Sequence, residues 1–170
     1  MKIELKNIKV NLTFSQETVN FIADLFVDSI KVASCENSGC GGSSSYCPYP
    51  GKRDLLMEVE KYCKTLPKVT YGTITWENSL ECQIDSIIDE YINNKEKQKF
   101  VKKLNKDMNK GICYGSDTSY SIVFWKGRTV DDLLKFEQGK KVVANKVKEL
   151  KARGENVLNT NIPSEVLNLV

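Results

Sequence analysis

The spacing of apolar residues first changes after Gly51, and that change limits the fold more than any other feature. Up to residue 34 apolar side chains recur at every second position, the period of a strand with one buried face. After Gly51 they recur in steps of three and four, the period of a helix. Ile8, Val10, Leu12 and Phe14 share one face of a first predicted strand over 8–14. Phe21, Ala23 and Leu25 share a face of a second over 19–27, and Asp28-Ser29 makes a tight connection into a third over 30–34. Together they predict an antiparallel meander. A run of small residues over 36–46 follows as a loop, and Pro48 and Pro50 keep the chain out of a helix.

Leu55, Leu56, Val59, Tyr62, Cys63 and Leu66 then form a helical stripe that Pro67 stops, and Val69, Tyr71, Thr73 and Thr75 are in phase for one short strand. Asn78 with Glu81 is a helix start, and Leu80, Ile84, Ile87, Ile88, Tyr91 and Ile92 form the apolar face behind it. The pattern lapses at Asn93-Asn94 and resumes with Phe100, Val101, Leu104 and Met108, which fits one long helix or two joined near Asn93. Beyond Gly111, segments 112–114 and 119–125 flank the turn Gly115-Ser116-Asp117-Thr118. Thr129 and Asp132 cap a short helix, and Val142, Val143, Val147 and Leu150 mark a last one, ended by Gly154. The tail 156–162 reads as extended and its Leu158–Pro163 stretch as an edge strand. Trp76, Trp125 and Tyr120 are expected in the core. Strands and helices come in runs, so the expected class is α+β: an N-terminal β-meander and a C-terminal β-hairpin packed with about four helices. The expected organisation is one domain over 1–163 with a flexible tail over 164–170.

A chain of 170 residues, 41% hydrophobic and 28% charged, has the composition of an ordinary folded domain. No apolar run approaches the roughly 18 residues of a membrane-spanning helix. Its first residues alternate charge and apolar side chains, unlike a signal peptide, so a cytoplasmic protein is expected. Cysteines stand at 35, 40, 47, 63, 82 and 113. Cys63 and Cys82 fall on apolar helix faces and Cys113 in a strand, which suits free buried thiols. Cys35, Cys40, Cys47 and Cys63 could supply zinc thiolates, but only the Cys35–Cys40 spacing suits such a site, and no metal or other cofactor is expected.

The chain has no histidine. That removes Ser–His and Cys–His dyads, histidine metal sites and the commonest general base near neutral pH, so no catalytic residue is assigned. Two features remain as candidate sites. The loop bearing Asn37, Ser38, Gly39, Gly41, Gly42, Ser43 and Tyr46 offers backbone N–H groups to a nucleotide phosphate. The second feature is charge: seven lysines face only Glu96 and Asp107 over 95–110, and five lysines with Arg153 face only Glu149 over 140–153. Lys95, Lys99, Lys102 and Lys106 fall on one helical stripe, with Lys103 and Lys110 nearby; Lys146, Lys148, Lys151 and Arg153 make up the second group. Such a surface attracts nucleic acid or an acidic protein patch.

Lys6-Asn7-Ile8, Ser15-Gln16-Glu17-Thr18, Ala23-Asp24-Leu25 and the glycine-rich loop ending at Tyr46 form one set of recognisable stretches. Glu60-Lys61-Tyr62-Cys63, Lys110-Gly111-Ile112-Cys113-Tyr114-Gly115, Trp125-Lys126-Gly127 and Leu158-Asn159-Thr160-Asn161-Ile162-Pro163 form another. Together they resemble a group of small uncharacterised proteins encoded by gut bacteria and their phages. The chain departs from that group at Asp28-Ser29-Ile30-Lys31 and at Ser38. The resemblance transfers no activity and implies a setting: accessory proteins of mobile elements, often host-takeover or anti-defence factors. The expected function is therefore non-enzymatic binding and inhibition of a host protein, a nuclease or nucleic-acid-guided defence complex, in the host cytoplasm. The alternatives are nucleotide sequestration by the loop and direct, non-specific nucleic-acid binding.

Overall fold

The computed structural model describes residues 1–168 and is of the α+β class. The chain divides into two compact units, Met1–Ile92 and the remainder from Asn93, where the sequence reading kept 1–163 together.

The first unit is built on strands β1 (Ile3–Val10), β2 (Phe21–Val27), β3 (Ile30–Asn37) and β4 (Ser45–Pro48). They form one antiparallel sheet in that order. Asp28 and Ser29 both take positive φ, 46° and 70°, the geometry of a two-residue turn whose twist suits a hairpin. Strand β4 is an addition to the expected meander. Its residues Ser45, Tyr46, Cys47 and Pro48 pair with Glu36, Cys35, Ser34 and Ala33. A proline is tolerated there because it ends an edge strand and owes no hydrogen bond. The expected 36–46 loop thus shrinks to the connection between β3 and β4.

Strand β1 also differs from expectation. Its pairing with β2 shifts between Lys6 and Lys9, and Asn7 has φ 55°. This bulge moves the inward-facing set from Ile3 and Leu5 to Ile8 and Val10, which all pack on one core. The strand then ends, and Asn11 caps a single 3-10 turn, Leu12–Phe14. Leu12 and Phe14 are therefore exposed, at 54% and 62%, instead of continuing the buried stripe.

Helix α1 (Arg53–Cys63) and the first part of α2 (Leu80–Met108) complete this unit. Leu56, Val59, Cys63, Leu80, Ile84 and Ile88 close against Phe21, Ala23, Leu25, Val27, Val32 and Cys35. Each large aliphatic buried this way contributes about 1.5–3 kcal/mol relative to exposure. Outside the core, Asp24 accepts hydrogen bonds from Tyr49 (2.6 Å) and Asn7 (2.7 Å) and pairs with Lys31 at 3.1 Å. The bonds from Tyr49 and Asn7 lead the causes that hold its carboxyl below the usual range.

The expected single strand over 69–75 is a small hairpin, β5 (Val69–Tyr71) and β6 (Ile74–Trp76), turning at Gly72-Thr73. Trp76 lies on it 41% exposed, not in the core. Helix α2 is continuous through Asn93-Asn94, which settles the choice between one helix and two. Its cap is Ser79, whose Oγ accepts from the Cys82 N–H at 3.1 Å. Asn78 instead donates to the Pro67 carbonyl and accepts from Gln83, each at 3.0 Å. No helix among the described residues is long and apolar enough to cross a membrane.

In the second unit, β7 (Ile112–Gly115) and β8 (Tyr120–Val123) form the expected hairpin. Helix α3 (Val130–Leu133) carries a full capping box between Thr129 and Asp132. The 16-residue helix α4 (Glu137–Ala152) buries Val143, Ala144, Val147 and Leu150 against Ile112, Val130, Leu133, Ile162 and Val166. Chain after Gly154 runs beside β7: Gly115 donates to the Asn156 carbonyl and Leu158 to that of Cys113, both at 2.9 Å. Where a loose tail was expected, α5 (Ser164–Leu167) inserts Val166, only 3% exposed, into this core. The last two positions of that tail, 169–170, lie outside the described residues.

Candidate functional site

The glycine-rich connection folds over the turn 15–18 and is held from within. Asn37 is buried and organises it: its Oδ1 accepts from the Thr18 hydroxyl (2.7 Å) and the Gly39 N–H (2.9 Å). Its Nδ2 donates to the Ser44 hydroxyl (3.2 Å) and the Gly42 carbonyl (3.3 Å). Gly41 donates to Thr18 Oγ1 at 3.3 Å, and the Gly39 carbonyl accepts from the N–H groups of Gln16 and Glu17. The Ser38 carbonyl accepts from Asn20 at 2.8 Å, while Ser43 is exposed. Tyr46 is directed elsewhere, donating to Glu60 at 2.8 Å.

Beside this loop lies a cleft of about 470 Å³, lined by Glu17, Thr18, Asn37, Gly42, Ser44, Asp85 and Asp89 over Phe21 and Ile88. Its charged groups are three carboxylates, with no lysine or arginine among its lining. Burial holds the Asp85 carboxyl above its usual range, reinforced by the nearby charges of Glu81 and Asp89. A phosphate brought here would meet like charge without a counter-ion. The arrangement suits a cation or a neutral hydrogen-bonding group better than an anion. Ser44, Asp85 and Asp89 were not among the sequence candidates. Asp85 and Asp89 lie one helical turn apart, a spacing indistinguishable in sequence from solvated surface charge.

The lysine candidates all belong to the second unit. On α2, Phe100 packs edge-on to Tyr120 with ring centroids 5.4 Å apart, and Tyr120 donates to Asp107 at 2.8 Å. Helical spacing puts Lys95, Lys99, Lys102 and Lys106 on the side away from Phe100 and Leu104, and all four are exposed. Lys99, Lys102 and Lys106 pair with no carboxylate among the described residues. The others are more engaged. Lys103 stands 5.8 Å from the Tyr120 ring centre, Lys110 pairs with Asp107 at 2.7 Å, and Lys146 and Arg153 both hold Glu149. Lys148 and Lys151 are exposed on α4.

The boundary between the units is also a boundary in charge. Residues 1–92 carry nine basic and thirteen acidic side chains, and the residues from 93 carry sixteen and nine. A net charge of +3 thus conceals −4 in one unit and +7 in the other.

The sequence reading also placed Trp125 in a core strand. It lies just beyond β8, half-buried, and with Phe124 and Arg128 lines a separate cleft in the second unit. The interleaved run Phe124-Trp125-Lys126-Gly127-Arg128 was the available signal for it.

Of the cysteines considered together for zinc, Cys35 and Cys63 are buried in the core and Cys40 and Cys47 are exposed. No cluster of three or more metal-ligating side chains is present among the described residues. Comparison with family models, with curated proteins and with solved structures finds no match to this chain.

Proposed function

We propose that this is a non-enzymatic accessory protein of a phage or other mobile element, which binds and inhibits a host nuclease or nucleic-acid-guided defence complex in the host cytoplasm. The basic helical surface of the second unit is the part that engages the partner. One observation carries the reading: Lys99, Lys102 and Lys106 line the exposed face of α2 without a carboxylate partner among the described residues. Like charges at helical spacings of three and four cost a few tenths of a kcal/mol per pair. Folding gains nothing from that ridge, whereas a polyanionic partner surface would turn the repulsion into attraction. The setting comes from the resemblance to phage-encoded proteins. Nucleotide sequestration by the glycine loop is less well supported, because its cleft is lined by Glu17, Asp85 and Asp89.

The test is capture from host lysate by the tagged protein, with and without nuclease treatment, beside the triple variant Lys99→Glu, Lys102→Glu, Lys106→Glu. A protein partner that survives nuclease and is lost with the variant supports the reading. Capture of no protein, or of proteins only when nucleic acid is intact, overturns it.

A further inference from the structure

The chain after β8 builds a second concave surface in the basic unit. Arg128 donates its N–H to the Trp125 carbonyl at 3.2 Å, closing a turn that displays Phe124, Trp125, Lys126 and Arg128. Phe124 is 67% exposed, more than any other large apolar side chain among the described residues. Burying such a ring is worth about 1.5–3 kcal/mol, which the folded chain forgoes here. Ile122, Phe124 and Trp125 wall a cleft of about 510 Å³, with Lys110, Arg128 and Thr129 around it.

The charges at this cleft are arranged unevenly. Its carboxylates are already engaged: Asp107 by Lys110 and the Tyr120 hydroxyl, Asp132 by Lys135 and Thr129. Lys126 and Arg128 pair with no carboxylate among the described residues, and the Arg128 guanidinium lies 5.5 Å from the Phe136 ring centre. The cleft therefore offers flat aromatic surface and the Arg128 guanidinium, with Lys126 exposed on the adjoining turn. That set matches a nucleobase and its phosphate: the base stacks on the aromatic surface, and Arg128, with Lys126 beside it, takes the phosphate. A duplex keeps its base faces stacked and out of reach. An acidic peptide would satisfy the cations but leave the rings without a stacking partner.

We propose that this cleft is a stacking subsite for single-stranded nucleic acid. Lys103, Lys106 and Lys110 follow one another along and just past the end of α2, and Lys110 lines the cleft, so further phosphates have positions leading to it. This site goes beyond the partner-binding reading above, which requires only the lysine ridge.

The experiment uses the full chain carrying Trp76→Phe, which leaves Trp125 as its only indole because the chain has two tryptophans. Labelled DNA and RNA strands of about twelve nucleotides are titrated by anisotropy and by Trp125 emission, against a duplex of the same sequence and against mononucleotides. Single strands should bind, quench Trp125 and outcompete the duplex. Phe124→Ala should weaken them about tenfold, Phe124→Tyr should restore them, and Arg128→Ala should lower the salt dependence by about one phosphate contact. Unfolding curves of each variant verify that the exposed substitutions leave the fold intact. Binding without quenching, or binding indifferent to Phe124→Ala, would place the anion on the lysine ridge alone and overturn the subsite. Equal affinity for a free mononucleotide would overturn the strand and leave a nucleotide with the same base-and-phosphate chemistry. Failure of every nucleic acid to bind overturns both, while leaving the lysate-capture result untouched.

Discussion

Ser44 donates a 2.6 Å hydrogen bond to Asp85, yet the Asp85 carboxyl is held above its ordinary range. Burial is the largest cause, and the charges of Glu81 and Asp89 outweigh with it what the serine bond returns. An acid whose pKa is raised on folding holds its proton more tightly in the folded state. Its stabilising contribution is complete below the unfolded pKa and is lost as pH rises through the folded one. Asp85→Asn keeps an acceptor for Ser44 and removes the charge. We expect it to raise the melting temperature at pH 7 by about 2–4 °C, with the gain vanishing near pH 3.5, below the ordinary aspartate value. Thermal unfolding at the two pH values measures this. A loss of stability at pH 7 would show that the carboxylate is held by something it needs.

Gly39 and Gly42 both take positive φ, 83° and 91°, but only the first is enclosed. A Cβ on Gly39 would lie 2.8 Å from Asn20 Cβ and closer still to the Phe14 carbonyl oxygen, whereas one on Gly42 would meet nothing within 4 Å. Gly42→Ala should therefore cost only the backbone penalty of about 1–2 kcal/mol. Gly39→Ala should cost at least about 2 kcal/mol more than that, since the turn must also move. Urea unfolding separates them. Equal costs would mean that the loop is not anchored on the 15–18 turn.

Asn159 joins three pieces of backbone in the second unit. Its Nδ2 lies 3.1 Å from the carbonyls of Met108 and Gly111, and its Oδ1 accepts from the Cys113 N–H at 2.6 Å. Asn159→Ala leaves these partly buried groups without their partner, at about 1–3 kcal/mol. Asn159→Asp sets a carboxylate oxygen against the Met108 and Gly111 carbonyls in place of the donor, so it should cost at least as much as alanine. Chemical denaturation with an unchanged slope verifies the order, and an alanine variant as stable as wild type would refute it.

Five of the six thiols should react in two classes. Burial pushes Cys35 up to about 12 and Cys113 to about 11, and Cys63 is raised for the same reason. With a thiol reagent at pH 8 the exposed Cys40 and Cys47 should be modified first. Cys35, Cys63 and Cys113 should react only on unfolding. Rapid modification of Cys35 in the folded protein would be inconsistent with this core.

Where one face of an element is buried along its whole length, sequence spacing found it. Phe21, Ala23 and Leu25 on β2 and Leu80, Ile84 and Ile88 on α2 sit as their spacing predicts. The Thr129–Asp132 cap was legible because its bonds are local. What sequence spacing missed depends on a distant partner or a change of phase. The bulge at Asn7 shifts the parity of β1 between Leu5 and Ile8, and the stripe that seemed to continue to Phe14 stops at Val10 because the chain leaves the strand for a 3-10 turn. Strand β4 exists because β3 supplies its ladder, and its own residues carry no alternation. The glycine loop was visible as composition, but Asp85, 41 residues beyond Ser44, turns the cleft acidic only once the chain is folded. The lysine stripe was legible from helical period alone. Its confinement to one unit was not, because no linker marks the boundary within α2.

The bulge in β1 has a further effect at the margin of the sheet. An open sheet of four strands has two edges, and an unbroken edge is a template on which another chain can zip. On β1 the departure at Asn7 breaks the regular row of outward donors and acceptors, and Lys2, Lys6 and Lys9 load that side with charge. The opposite edge, β4, is four residues long and ends in Pro48, which has no N–H to offer. Neither margin of this sheet presents a long unbroken run on which another strand could pair.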